Sequence, residues 1–128
     1  MELNFIQMNE LSEGLESLQT KELPFKLSLI IAKDIAAIKK ESEFYIEQER
    51  AFAEKYLVQD ENGQYVQEQE GVFRIKEGMV EECRKAREEL NAFTTNIELR
   101  TIPMSMIENM NMTPQQLLQI ESIIDEEA

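Results

Sequence analysis

Between Met79 and Ile97 apolar residues recur as Met79, Cys83, Ala86, Leu90, Phe93 and Ile97, at intervals of four, three, four, three and four. A repeat of roughly 3.5 residues marks an α-helix that lays one narrow apolar seam against another helix. A second seam runs through Ile31, Ile35, Ile38, Ser42, Tyr45, Glu49, Phe52 and Tyr56 with the same alternation, interrupted by Ser42 and Glu49. No Pro or Gly breaks the chain between Pro24 and Val58, and Pro24 suits a first helical turn, where its missing N–H is no loss. Two seams joined by a short segment are expected to fold back on each other. The spacing therefore predicts a long antiparallel helical hairpin of residues 25–58 and 77–95, with Phe52 near Cys83, Tyr45 near Leu90 and Glu49 beside Ala86. Leu27, Ile30, Ala37 and Phe44 widen the apolar face of the first helix, so more than one element is expected to pack on it. At roughly 1.5 Å per residue that helix would be about 50 Å long, which predicts an elongated molecule.

The remaining segments add a minor β component to a mainly α fold. Residues 2–6 read as a short strand, and Met8, Leu11, Leu15 and Leu18 form one stripe on a helix of about 8–20. Gly14 within it lowers helix propensity by about 1 kcal/mol relative to alanine. Asp60-Glu61-Asn62-Gly63 is a turn signal, and Tyr65-Val66 with Val72–Ile75 reads as a small β-hairpin tip. On the outer face of the second long helix Glu81–Lys85, Arg84–Glu88 and Lys85–Glu89 are spaced as ion pairs. Residues 96–102 alternate as a strand, expected to pair with 2–6 and to stop at Pro103. Thr113-Pro114-Gln115-Gln116 reads as a capping box that opens a C-terminal helix carrying Leu117, Leu118, Ile120, Ile123 and Ile124, with Asp125–Glu127 fraying.

Length and charge then limit the function classes. A chain of 128 residues is expected to form a single domain, 1–128. Its 42% hydrophobic content argues for a folded core, and its net charge of −13 repels nucleic-acid backbones and acidic membrane surfaces. Direct nucleic-acid or membrane binding is disfavoured. No apolar run nears the roughly 20 residues of a membrane span, and the start lacks the pattern of a signal peptide, so a cytoplasmic location is expected. There is no histidine, which removes the usual general base near neutral pH and the commonest transition-metal ligand. No phosphate-binding or nucleophile motif is present. The expectation is a protein that is not an enzyme and has no catalytic residue, metal or cofactor.

Individual candidates have ordinary alternatives. Cys83 lies on the seam and reads as a buried structural thiol. The acidic tip lacks the glycine that a calcium loop needs at its sixth position; counted from Asp60 that residue is Tyr65. Met104, Met106, Met110 and Met112 cluster in nine residues; core filling is their usual role and an adaptable partner surface the alternative. Lys33, Lys39, Lys40, Arg50 and Lys55 are interleaved with acids, as on an ion-paired face. Tyr45, Arg50 and Tyr56 could instead line an anion pocket at an oligomer interface. The candidate ligand or partner surface is therefore Tyr45, Arg50, Tyr56, Met104, Met106 and Met110.

Leu23-Pro24-Phe25-Lys26, Ala32-Lys33-Asp34-Ile35, Glu49-Arg50, Glu54-Lys55-Tyr56 and Asp60-Glu61-Asn62-Gly63, with the later strand and the helix after Thr113-Pro114, resemble a family of small uncharacterised phage and prophage proteins, mainly of Gram-positive bacteria. The resemblance covers nearly the whole chain in outline and carries no assigned functional residues. It implies a phage or prophage origin and no established activity; the expected elongated shape, abundant acid and absent catalytic chemistry point to a non-enzymatic accessory protein that binds a host or phage macromolecule, for instance as an inhibitor of antiviral defence that presents carboxylates to a nucleic-acid-binding surface. A nucleotide-signal sequestering oligomer and a virion or assembly component are the alternatives. A protein partner is expected, and homo-oligomerisation is compatible with the pattern.

Overall fold

The computed structural model describes residues 1–127. The chain is mainly helical with a small amount of strand. In order come β1 (Glu2–Leu3), α1 (Phe5–Leu18), α2 (Phe25–Tyr56), β2 (Gln67–Gln69), β3 (Val72–Phe73), α3 (Val80–Ala92), β4 (Thr95–Asn96), β5 (Ile102–Pro103), α4 (Pro114–Ile120) and β6 (Ile124–Asp125). They form two compact units: residues 1–42 with 94–127, and residues 43–93. The long helix α2 supplies residues to both.

In the first unit, the expected strand over 2–6 is only two residues long, because Asn4 caps a helix. Its side chain accepts a hydrogen bond from the Gln7 amide at 2.8 Å, and the Gln7 side chain accepts one from the Asn4 amide at 2.9 Å. That capping box starts α1 three residues earlier than the apolar stripe alone suggests. β1 pairs antiparallel with β4, Glu2 opposite Asn96 and Leu3 opposite Thr95. Met8, Leu11, Leu15 and Leu18 are all buried, as the stripe requires. Leu3, Leu27, Ile31, Ile38, Ile97, Ile102, Ile107, Ile120 and Ile123 are buried in the same unit, and α1 packs chiefly on α4. The expected strand over 96–102 stops after Asn96. In this register Met1 lies opposite Ile97, whose amide donates to the Met1 carbonyl at 2.9 Å; beyond it the Arg100 amide donates to Asp34 Oδ1 at 2.8 Å, and Ile102–Pro103 form a separate strand, so Pro103 does not end the pairing as expected.

Asp34 is 1% exposed, and its Oδ2 has no hydrogen-bond partner among the described residues. Burial pushes its pKa above the ordinary 3.8, against the smaller opposing pull of the Arg100 amide and guanidinium. The folded protein thus holds this proton more tightly than the unfolded chain does. Asp34's contribution to stability is full below about pH 3.8 and falls as pH rises through the folded-state value. The unfolding free energy of the wild type minus that of Asp34→Asn is expected to decrease as pH is raised from about 4 to 7. A difference that grows over that interval would contradict the assignment.

α4 opens as expected: Thr113 accepts from the Gln116 amide, and the Gln116 side chain accepts from the Thr113 amide. It is shorter than the apolar pattern suggests. A 3-10 turn at Glu121–Ile123 leads into β6, which pairs in parallel with β5, Ile102 opposite Ile124. Asp125, expected to fray, lies in that strand.

In the second unit, residues 57–59 leave α2 and bridge to Ile75 and Tyr65. Hydrogen bonds from the Val58 amide to the Arg74 carbonyl and from the Val66 amide to the Val58 carbonyl tie the segments together. β2 and β3 extend this pairing as a hairpin with an irregular register, turning at Gly71, whose φ of 79° is the left-handed conformation that favours glycine. Asp60 closes the preceding turn by accepting from the amides of Asn62 and Gln64.

Candidate functional site

The second unit owes its site to the spacing of α2 and α3. Seam positions Tyr45, Tyr56 and Cys83 are buried. Tyr45 lies against Phe93, ring centroids 5.9 Å apart, with its hydroxyl 3.5 Å from the Phe93 carbonyl. Glu49 meets Arg87 through both carboxylate oxygens, at 2.5 and 2.9 Å. The same guanidinium sits 4.2 Å from the Phe52 ring centroid. Glu49, expected beside Ala86, is half-buried and is met by the neighbouring Arg87, which reaches across to it. The fork also raises the Arg87 pKa, chiefly through its hydrogen bond to Glu49. A double-mutant cycle of Glu49→Gln and Arg87→Met is expected to give a coupling of about 1 kcal/mol, the upper end for a partly exposed pair. A coupling of zero would show that the fork contributes no stability.

On one side of this line of contacts a groove of about 400 Å³ opens, lined by residues that include Phe44, Phe52, Tyr56, Ala86, Leu90 and Phe93. Phe44 and Phe93 stand 6.4 Å apart and are 54% and 53% exposed. Ala51 also contributes, and the polar margin is Gln48, Lys55 and Glu89. Two helices in contact bury only the residues along their shared line, whereas the apolar face of α2 is wider than one seam. The surplus aromatic surface forms this groove. Single exposed apolar residues are ordinary on a protein surface; here several line one groove.

Of the residues singled out from sequence, Tyr56 lines the groove, and Tyr45 lies buried beside it. Arg50 does not line it; its guanidinium is paired with Glu47 and Glu54 on the exposed face of α2. Met104, Met106 and Met110 belong to the first unit and are each half-buried. Of the expected α3 ion pairs only Arg84–Glu88 forms, and Arg84 also reaches Glu81. Phe44 and Phe93, the groove's most exposed aromatics, were not among those candidates. The signal for Phe44 was its place outside the four–three alternation, next to Tyr45.

Among the described residues, no group of three or more Cys, Asp or Glu is arranged to hold a metal ion. No helix of the described residues is long and apolar enough to cross a membrane. No protein-family model, curated protein or solved structure matches the chain.

Proposed function

We propose that this chain is a non-enzymatic accessory protein that works by contact with another polypeptide, and that the α2–α3 pair forms the long antiparallel helical hairpin whose aromatic groove is its contact face. The supporting observation is the uncovered pair Phe44 and Phe93 above Phe52 and Leu90. Covering the exposed halves of those two rings is worth on the order of 2–3 kcal/mol, a driving force unused while the groove faces water. The likeness to small phage and prophage proteins supports a setting in the host cytoplasm, where host or phage macromolecules, antiviral defence components among them, are the targets.

Native mass spectrometry of the chain purified gently from its host tests the reading. A protein-sized addition is expected on the wild type and is expected to disappear in the Phe44→Asp/Phe93→Asp variant, with far-UV circular dichroism unchanged. A bare wild-type mass, or an addition that survives the double substitution, would refute the groove as the contact face.

A further inference from the structure

We infer that the outer face of the first half of α2 is a second contact site, which receives an acidic amphipathic helix of another polypeptide. The face lies wholly within the first unit, has a partner of its own, and stands independently of the groove.

α2 turns Leu27, Ile31, Asp34 and Ile38 inward, and all four are buried. On the opposite side Phe25, Leu29, Ala32 and Ala36 are spaced four, three and four and are all exposed, Phe25 at 80% and Leu29 at 38%. This is a second helical seam, of the kind that packs on another helix, and it is left uncovered. Lys26, Lys33 and Lys40 recur every seven residues, so they occupy the same flank of that seam in three successive repeats. Charge at that flank sets which helix a seam accepts. Lys39, three residues beyond Ala36, takes the next seam position. All four lysines are exposed, and none is in an ion pair among the described residues. Lys33, Lys39 and Lys40, expected on an ion-paired face, are thus unpaired. Between Pro24 and Lys40 the one acidic residue is Asp34, which is buried. A chain of net charge −13 therefore carries a strip about 21 Å long to whose surface α2 contributes only positive charge.

The strip selects its occupant. The seam calls for a helix, and the lysine flank calls for carboxylates on that helix. A second copy does not fit. Antiparallel pairing of two such faces sets lysines against lysines, and parallel pairing sets them against Ser28, Ile35 and Ser42, none of them acidic. A nucleic-acid backbone would pair with the lysines and leave Phe25 and Leu29 in water. An extended anionic surface, whether nucleic acid or membrane, also meets the net negative charge of the whole molecule, whereas a single helix meets only the strip. With alanine at two of the four seam positions the contact buries little apolar area. It is therefore weak, reversible and lost on dilution during purification.

Fluorescence anisotropy of a labelled peptide titrated with the full chain tests this. The probe is an amphipathic helix of about three heptads with leucine along its seam and glutamate on both flanks. A chain of net charge −13 repels such a peptide, so binding reports a local basic face. A Kd on the order of 100 µM is expected for the wild type. Lys26→Gln/Lys33→Gln/Lys40→Gln is expected to weaken binding at least about ten-fold, and Phe25→Ala/Leu29→Ala by about as much. Gln59→Glu/Gln64→Glu/Gln69→Glu changes the net charge equally at exposed positions of the second unit. It is expected to leave the Kd within about three-fold. All the substituted side chains are exposed, so thermal unfolding is expected to stay close to that of the wild type. No wild-type binding up to about 1 mM, or binding indifferent to the lysine changes, would overturn the proposal. So would binding that needs the lysines but not Phe25 and Leu29, which would make the strip a general anion surface. A duplex oligonucleotide or an anionic vesicle held more tightly than the peptide by the same lysines would overturn it as well.

Discussion

Replacing Gly14 with valine is expected to cost about 3 kcal/mol of folding stability and to lower the Tm by roughly 12 °C. A Cβ placed on Gly14 would lie 2.7 Å from Gln119 Cβ and 2.7 Å from Ile120 Cγ2. Neither atom is the far end of a flexible chain, so α1 and α4 must move apart to admit it. Valine adds two more carbons to that clash. Alanine separates the competing effects: helix propensity alone favours it by about 1 kcal/mol, whereas contact between α1 and α4 disfavours it. Thermal and urea unfolding of Gly14→Ala are expected to show a net loss of about 1–2 kcal/mol. A neutral or stabilised alanine variant would mean that α4 is not seated on Gly14.

Tyr45→Ala is expected to destabilise the protein by about 3–4 kcal/mol, the range for deleting a buried aromatic side chain. The ring is 1% exposed and contacts Phe93 and Phe44, the latter edge-on at 5.6 Å. Urea unfolding measures the loss. A residue acting only as an exposed ligand contact would change stability by no more than about 0.5 kcal/mol. A loss that small would return Tyr45 to the ligand surface suggested by its place beside Arg50 and Tyr56.

The helices were legible because their apolar periodicity is local and strong. The seam from Ile31 to Tyr56 matches the burial of Ile31, Ile38, Tyr45 and Tyr56, and Thr113-Pro114 starts α4 where the capping pattern puts it. The strands were less legible because pairing depends on partners distant in the chain. Residues 97–101 alternate as a strand, yet the Arg100 amide bonds to Asp34. Asp34 carried a readable signal of its own. Leu27, Ile31, Asp34 and Ile38 are spaced four, three and four, so a carboxylate occupies a position whose neighbours are all core. Asn4-Phe5-Ile6-Gln7 likewise held a capping box that the strand-like Leu3 and Phe5 masked. Gly14 looked like a weak point in a helix, because sequence shows the propensity cost and not the helix that packs against it.

The groove was legible only in part. Tyr56 and Phe52 follow from the seam, whereas Phe44 and Phe93 become a site only once the register of α2 against α3 sets their rings side by side. In that register Glu49 meets Arg87, and a glutamate interrupting an apolar seam does not disclose its partner.

Photo-crosslinking from position 93 tests the central claim, that the groove is covered by another polypeptide. Phe93→benzoylphenylalanine, irradiated in the native host, is expected to join the chain to a second polypeptide, and the adduct's mass identifies it. The same photoreactive residue at Phe25, which is 80% exposed and lies outside the groove, is expected to give no adduct of that mass. Irradiation that leaves the position-93 protein at its single-chain mass, or equal adducts from both positions, would contradict the claim.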